Sequence, residues 1–121
     1  MKYHGFDVKT LVVSSARVPD DLRDILERGS TTIDSLDAGD ATPDAIGRLA
    51  PDRVVFWHVP GDDELERVAN AMARSDPGEA TTSLVFVSAA PPGTGQWLAP
   101  DQVFVWPNDE DRLRMAFMTG G

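Results

Sequence analysis

The sequence predicts a doubly wound α/β fold, and three observations predict it. Short β-branched runs alternate with amphipathic stretches along the whole chain. Five such runs recur with helical stretches between most of them, which requires crossover connections and hence a mainly parallel sheet covered on both faces. At 121 residues the chain suits one compact domain, so positions 1–121 are read as a single unit.

The elements follow in order. Leu11-Val12-Val13 reads as a buried strand bounded by Ser14-Ser15. Pro19 opens a helix through Arg28, with Leu22, Ile25 and Leu26 on one face and Gly29 as its stop. Thr31-Thr32-Ile33 starts a weaker second strand that runs into the polar stretch Asp34 to Asp40. Thr42-Pro43-Asp44 is a helix start, with a hydroxyl N-cap, proline at the first position and an acid near the positive end of the dipole. Its apolar face is Ala45, Ile46, Leu49 and Ala50, and Pro51 ends it.

Arg53 to His58 is the third strand, broken by Pro60-Gly61. Asp62, Asp63 and Glu64 open the next helix, whose stripe Leu65, Val68, Ala69 and Met72 has the spacing of a helix packed on a sheet. Ser83 to Ser88 is the fourth strand and Gln102 to Trp106 the fifth. Asn108 is the expected cap of a last helix in which Leu113, Ala116 and Phe117 share a face. At this length a flavodoxin-like sheet of order 2-1-3-4-5 fits, and function in such sheets sits beyond the carboxyl ends of the strands. Those ends carry Ser14-Ser15, His58, Ser88-Ala89 and Trp106-Pro107.

Composition removes several classes of function. With no cysteine there is no disulfide, thiolate metal site, iron–sulfur cluster or cysteine nucleophile. His4 and His58 alone make no multi-histidine cage. Twenty acidic against 11 basic side chains give a net charge of -9, a field that repels phosphate backbones and anionic lipid. No apolar run is long enough to span a bilayer, and residues 1–7 lack the apolar core of a secretory signal. The expectation is a cytoplasmic protein that binds neither nucleic acid nor membrane.

At the strand ends the chain resembles the receiver domains of bacterial response regulators, over nearly its whole length. That family carries an acidic pair after strand 1 and a phosphoacceptor aspartate at the end of strand 3. A Ser or Thr followed by Ala ends strand 4, and a Lys-Pro pair follows strand 5. Here Leu11-Val12-Val13-Ser14-Ser15 stands at the first position and Pro51-Asp52-Arg53-Val54-Val55-Phe56-Trp57 leads to the second. Val85-Phe86-Val87-Ser88-Ala89 matches the strand 4 motif, and Val103-Phe104-Val105-Trp106-Pro107 the strand 5 motif with Trp106 for the lysine. The resemblance implies a CheY-like fold in which Pro91 to Pro100 shortens or replaces the fourth helix, because two prolines and two glycines within Pro91-Pro92-Gly93-Thr94-Gly95 oppose a helix.

The departures decide the chemistry that the resemblance implies. Magnesium needs carboxylate oxygens, and Ser14 and Ser15 offer only hydroxyls. The phosphoacceptor position falls at Trp57 counted from Pro51-Asp52, or at Phe56 counted from Pro60, and neither is an acid. The expectation is therefore a pseudo-receiver: a non-catalytic signalling module of a two-component pathway. It acts by protein–protein interaction, self-association included, without phosphorylation, cofactor or metal. The alternative is a small-molecule sensor using the vacated pocket of Ser14, Ser15, Trp57 and Trp106.

Each candidate has a plainer reading. His58 suits a base or a phosphoacceptor, but no acid is evident to orient it, so a hydrogen-bonded strand-end histidine is the simpler account. Ser14, Ser15 and Ser88 lack a nucleophile elbow and read as hydroxyl caps. Asp62, Asp63 and Glu64 are sufficiently explained as an acidic first turn. A surface of Trp97, Leu98, Val105, Trp106 and Pro107 is the candidate docking face, since tryptophan is enriched among interface anchors. Its alternative is a lid over strand ends that a missing helix leaves uncovered.

Overall fold

The computed structural model describes residues 8–59, 61, 63–74, 83–89 and 102–118. Five parallel strands form one sheet of order β2-β1-β3-β4-β5: β1 (Lys9–Ser14), β2 (Thr32–Asp37), β3 (Arg53–His58), β4 (Ser83–Ser88) and β5 (Gln102–Val105). The described helices are α1 (Asp20–Arg28), α2 (Pro43–Leu49), α3 (Asp63–Arg74) and α4 (Glu110–Met118), with one 3-10 turn at Ala38–Asp40. The expected strand order holds.

Alternation along each strand builds two separate cores. Leu11, Val13, Val54, Phe56 and Phe86 point to one face and pack on Ile46 of α2 and Leu65, Val68 and Ala69 of α3. Val12, Val55, Trp57, Val85, Val87 and Phe104 point to the other and pack on Leu22, Ile25 and Leu26 of α1 and Leu113 and Phe117 of α4. Central strands that bury both faces read as continuous apolar runs, which is why β3 and β4 match their expected bounds.

Four expectations change. β2 continues through Asp37 as an edge strand, because its backbone pairs with β1 over six positions while Thr32, Asp34, Ser35 and Asp37 face solvent. β5 stops at Val105, and Trp106 enters a turn. Ala50 is exposed rather than on the apolar face of α2: it caps the helix in left-handed conformation at φ +50°. Asn108 lies in the turn before α4, and it is the carbonyl of Asp109 that accepts the early helical bond from Leu113. The Asp109 carboxylate folds back onto the Val105 amide at 2.8 Å instead.

The Thr42 cap is as expected, its hydroxyl accepting from the Ala45 amide at 3.0 Å. Gly29 ends α1, and the reason it is glycine lies in packing. A Cβ there would stand 2.7 Å from Phe117 Cβ and 2.9 Å from the Phe117 carbonyl oxygen. The segment 89–101 and the start of the chain fall mostly outside the described residues, and so does the shortening of the family's fourth helix.

Candidate functional site

The carboxyl edge of the sheet is assembled by register. Ser14 ends β1 beside Trp57 of β3 on one side and Asp37 of β2 on the other. His58 ends β3 and pairs with Ser88, the last residue of β4. The peptide of Trp106 follows, its amide donating to the Ser88 carbonyl at 2.7 Å, and the Trp106–Pro107 bond is cis.

His58 is 7 % exposed, and its surroundings are specific. Nδ1 lies 3.1 Å from the Ser88 hydroxyl, the ring stacks obliquely on Phe86 at 5.3 Å, and Nε2 lies 3.0 Å from Glu66 Oε2. That last contact is close but out of line for a hydrogen bond, since Nε2 is buried without an aligned partner. Sequence reading found no acid for His58. Glu66 supplies one from the first turn of α3, whose amino end sits above the end of β3. The available signal was its place beside Leu65, the first residue of the buried stripe.

Ser88 is fully buried, so the Ser88–His58–Glu66 line presents no hydroxyl to a substrate. It ties two strand ends to a helix. Phe56 and Trp57 leave the site altogether: they are 0 % and 4 % exposed and lie in opposite cores. β3 ends at His58 as expected, and the register places the imidazole, not an indole or phenyl ring, at the position facing Ser88. The indole Nε1 of Trp57 is buried with no hydrogen-bond partner.

Trp57, expected to line a vacated pocket with Ser14, Ser15 and Trp106, is buried in the core. A cleft of about 330 Å³ lies over the ends of β1 and β2, lined by Ser14, Ser15, Arg17, Ser35, Leu36 and Asp37. Trp57 is core and Trp106 is half-buried against the α1/α4 side, so neither lines it. Asp37 Oδ2 accepts from the Gly39 amide at 2.9 Å, and a Cβ on Gly39 would stand 3.3 Å from Glu64 Oε2. Of the candidate docking face, Val105 and Trp106 are half-buried and Pro107 is exposed, while Trp97 and Leu98 lie outside the described residues, as does Asp62. No described helix is long and apolar enough to cross a membrane.

At the opposite edge of the sheet, Arg53 opens β3 with its guanidinium 4.1 Å above the Phe117 ring. Burial lowers its pKa from the ordinary value and Asp52 opposes that shift. Arginine keeps its charge under any ordinary condition, so the group is a charged cover for the α1/α4 core.

No family model and no curated protein sequence matches the chain. Solved structures do match in fold. A protein described as pilus assembly-related from Burkholderia pseudomallei superposes with a TM-score of 0.62 at 14% identity, over 99% of this chain and 93% of that one. The signal receiver domain of the response regulator NarL from Mycobacterium tuberculosis superposes with a TM-score of 0.58 at 19% identity, over 93% and 94%. The chain thus has the fold of response-regulator receiver domains, a five-stranded parallel sheet of order 2-1-3-4-5.

Proposed function

We propose that this chain is a receiver-like signalling module that works through contacts with other proteins and takes no phosphoryl group on an aspartate. One observation carries the reading: the strand ends where receiver chemistry would sit hold Ser14, the buried His58–Ser88 pair and Trp106. Hydroxyls and an imidazole replace the carboxylates that would hold magnesium and accept phosphate. In this reading the module is non-enzymatic, needs no cofactor, and serves a cytoplasmic two-component pathway of the kind the NarL receiver represents by name. Its docking face is the β5–α4 turn of Val105, Trp106 and Pro107.

The test is direct. Incubated with magnesium and acetyl phosphate, the protein is expected to gain no mass. An acid-labile gain of one phosphoryl group in intact-mass spectrometry refutes the reading.

A second reading, small-molecule sensing, has one observation in its favour: the cleft of about 330 Å³ beside Ser14 and Asp37. That volume falls at the lower end of ordinary ligand sites.

A further inference from the structure

We propose that the cleft over the ends of β1 and β2 binds an uncharged vicinal diol on a small ring, as in a monosaccharide or the ribosyl group of a nucleoside. The proposal rests on the second reading above and names its ligand chemistry.

The lining has the composition that diols require. Ser14 and Ser35 each offer a hydroxyl that both donates and accepts, and Asp37 offers a carboxylate, while the Leu36 side chain packs into the core shared with α2 and α3. Asp37 is oriented before any ligand arrives, because the Gly39 amide holds Oδ2 at 2.9 Å and the other oxygen is left to accept. Ser14 and Asp37 are register partners on adjacent strands. Such strands run about 4.8 Å apart, so one ring touches both.

Acidic surroundings offset the one cation of the lining. Arg17 lines the cleft, but its guanidinium lies 3.6 Å from Asp20, and Asp20 and Asp21 occupy the first turn of α1. The whole chain carries -9. In doubly wound nucleotide-binding folds, an acid near the end of the second strand takes the ribose hydroxyls and a glycine turn after the first strand takes the pyrophosphate. Here Asp37 stands at the end of β2, while Ser15-Ala16-Arg17-Val18-Pro19 follows β1 with no glycine. The diol half of such a site is present and the phosphate half is missing.

Isothermal titration of the full chain with glucose, ribose, adenosine, 2′-deoxyadenosine and AMP tests this. At least one diol is expected to bind with a Kd between about 10 µM and 1 mM, the range for a ligand of this size in one shallow site. If it is adenosine, 2′-deoxyadenosine is weaker by about tenfold or more, since a site built on a hydroxyl is left unpaired without it. AMP is weaker than adenosine. Asp37→Asn keeps an acceptor for the Gly39 amide and hence the fold, and lowers diol affinity by about tenfold, the loss expected of a hydrogen bond to a charged group.

Absence of heat with every diol up to about 10 mM, equal binding of the deoxynucleoside and adenosine, or tighter binding of AMP overturns the proposal. A thermal-shift screen of amino acids and carboxylic acids, run in parallel, separates two failures. A hit there without diol binding ends the diol assignment alone, whereas no hit in either experiment ends small-molecule sensing as well.

Discussion

His58 shows how much one residue at a strand end can bind together. Its ring touches Phe86, Ser88 and Glu66, three contacts to β4 and α3 from one side chain of β3. His58→Ala opens a cavity and strips a partner from a buried hydroxyl, for an expected loss of about 2–3 kcal/mol in urea unfolding. Glu66→Gln alters a group that is 35% exposed, and an ion contact of that exposure is worth less than about 1 kcal/mol. Should Glu66→Gln prove the costlier of the two, the carboxylate and not the packing of the ring holds the edge together.

At the scale of elements, two helix ends carry residues whose roles are exchanged. α1 ends in Gly29 at φ -95°, a conformation open to any residue, yet Phe117 of α4 leaves no room for a Cβ. Gly29→Ala is expected to cost about 1–3 kcal/mol as overpacking between α1 and α4. α2 ends in Ala50 at φ +50°, where an L side chain is strained by roughly 1–2 kcal/mol. Ala50→Gly relieves that strain, and after the backbone entropy of glycine is subtracted the expected gain is about 0.5–1 kcal/mol. Paired urea midpoints check both signs, and a stabilising Gly29→Ala or a destabilising Ala50→Gly refutes the corresponding account.

These two ends also mark what could and could not be read from the sequence. Gly29 was legible as a stop, although packing against the distant Phe117 is what requires glycine there, and Thr42 was legible as a cap because capping depends on neighbours in the chain. β3 and β4 were legible because burial on both faces forces continuous apolar runs. β2 was only half legible: an edge strand is held by backbone pairing to β1, and TIDSLD carries no alternation strong enough to announce it. The site divided in the same way. His58 and Ser88 were found at strand ends, whereas Glu66, Arg17 and Asp37 come to the edge through helix placement and register. Trp57 was misplaced because a motif count cannot tell which face of a strand the last residues take.

For the whole molecule, topology sorts the charge. Parallel strands joined by helices place the amino end of each described helix at the carboxyl edge of the sheet. The acids that complement those dipoles gather there: Asp20 and Asp21 on α1, Asp44 on α2, Asp63, Glu64 and Glu66 on α3, Glu110 and Asp111 on α4. The last turns of α1 and α2 carry Arg28 and Arg48 at the opposite edge. Exposed pairs such as Arg23–Glu27 and Arg28–Asp24, both at 2.9 Å, return little stability in water, about 0.3–0.5 kcal/mol each. Self-repulsion among a surplus of nine negative charges opposes them. Salt screens both effects within about 10 Å at 0.1 M, but repulsion acts over the whole surface and the pairs act locally. Raising sodium chloride from about 10 mM to 500 mM is therefore expected to raise the melting temperature, by a few degrees for a domain of this size. A fall across the same range means that the helix-surface ion pairs outweigh the crowding of acids at the carboxyl edge.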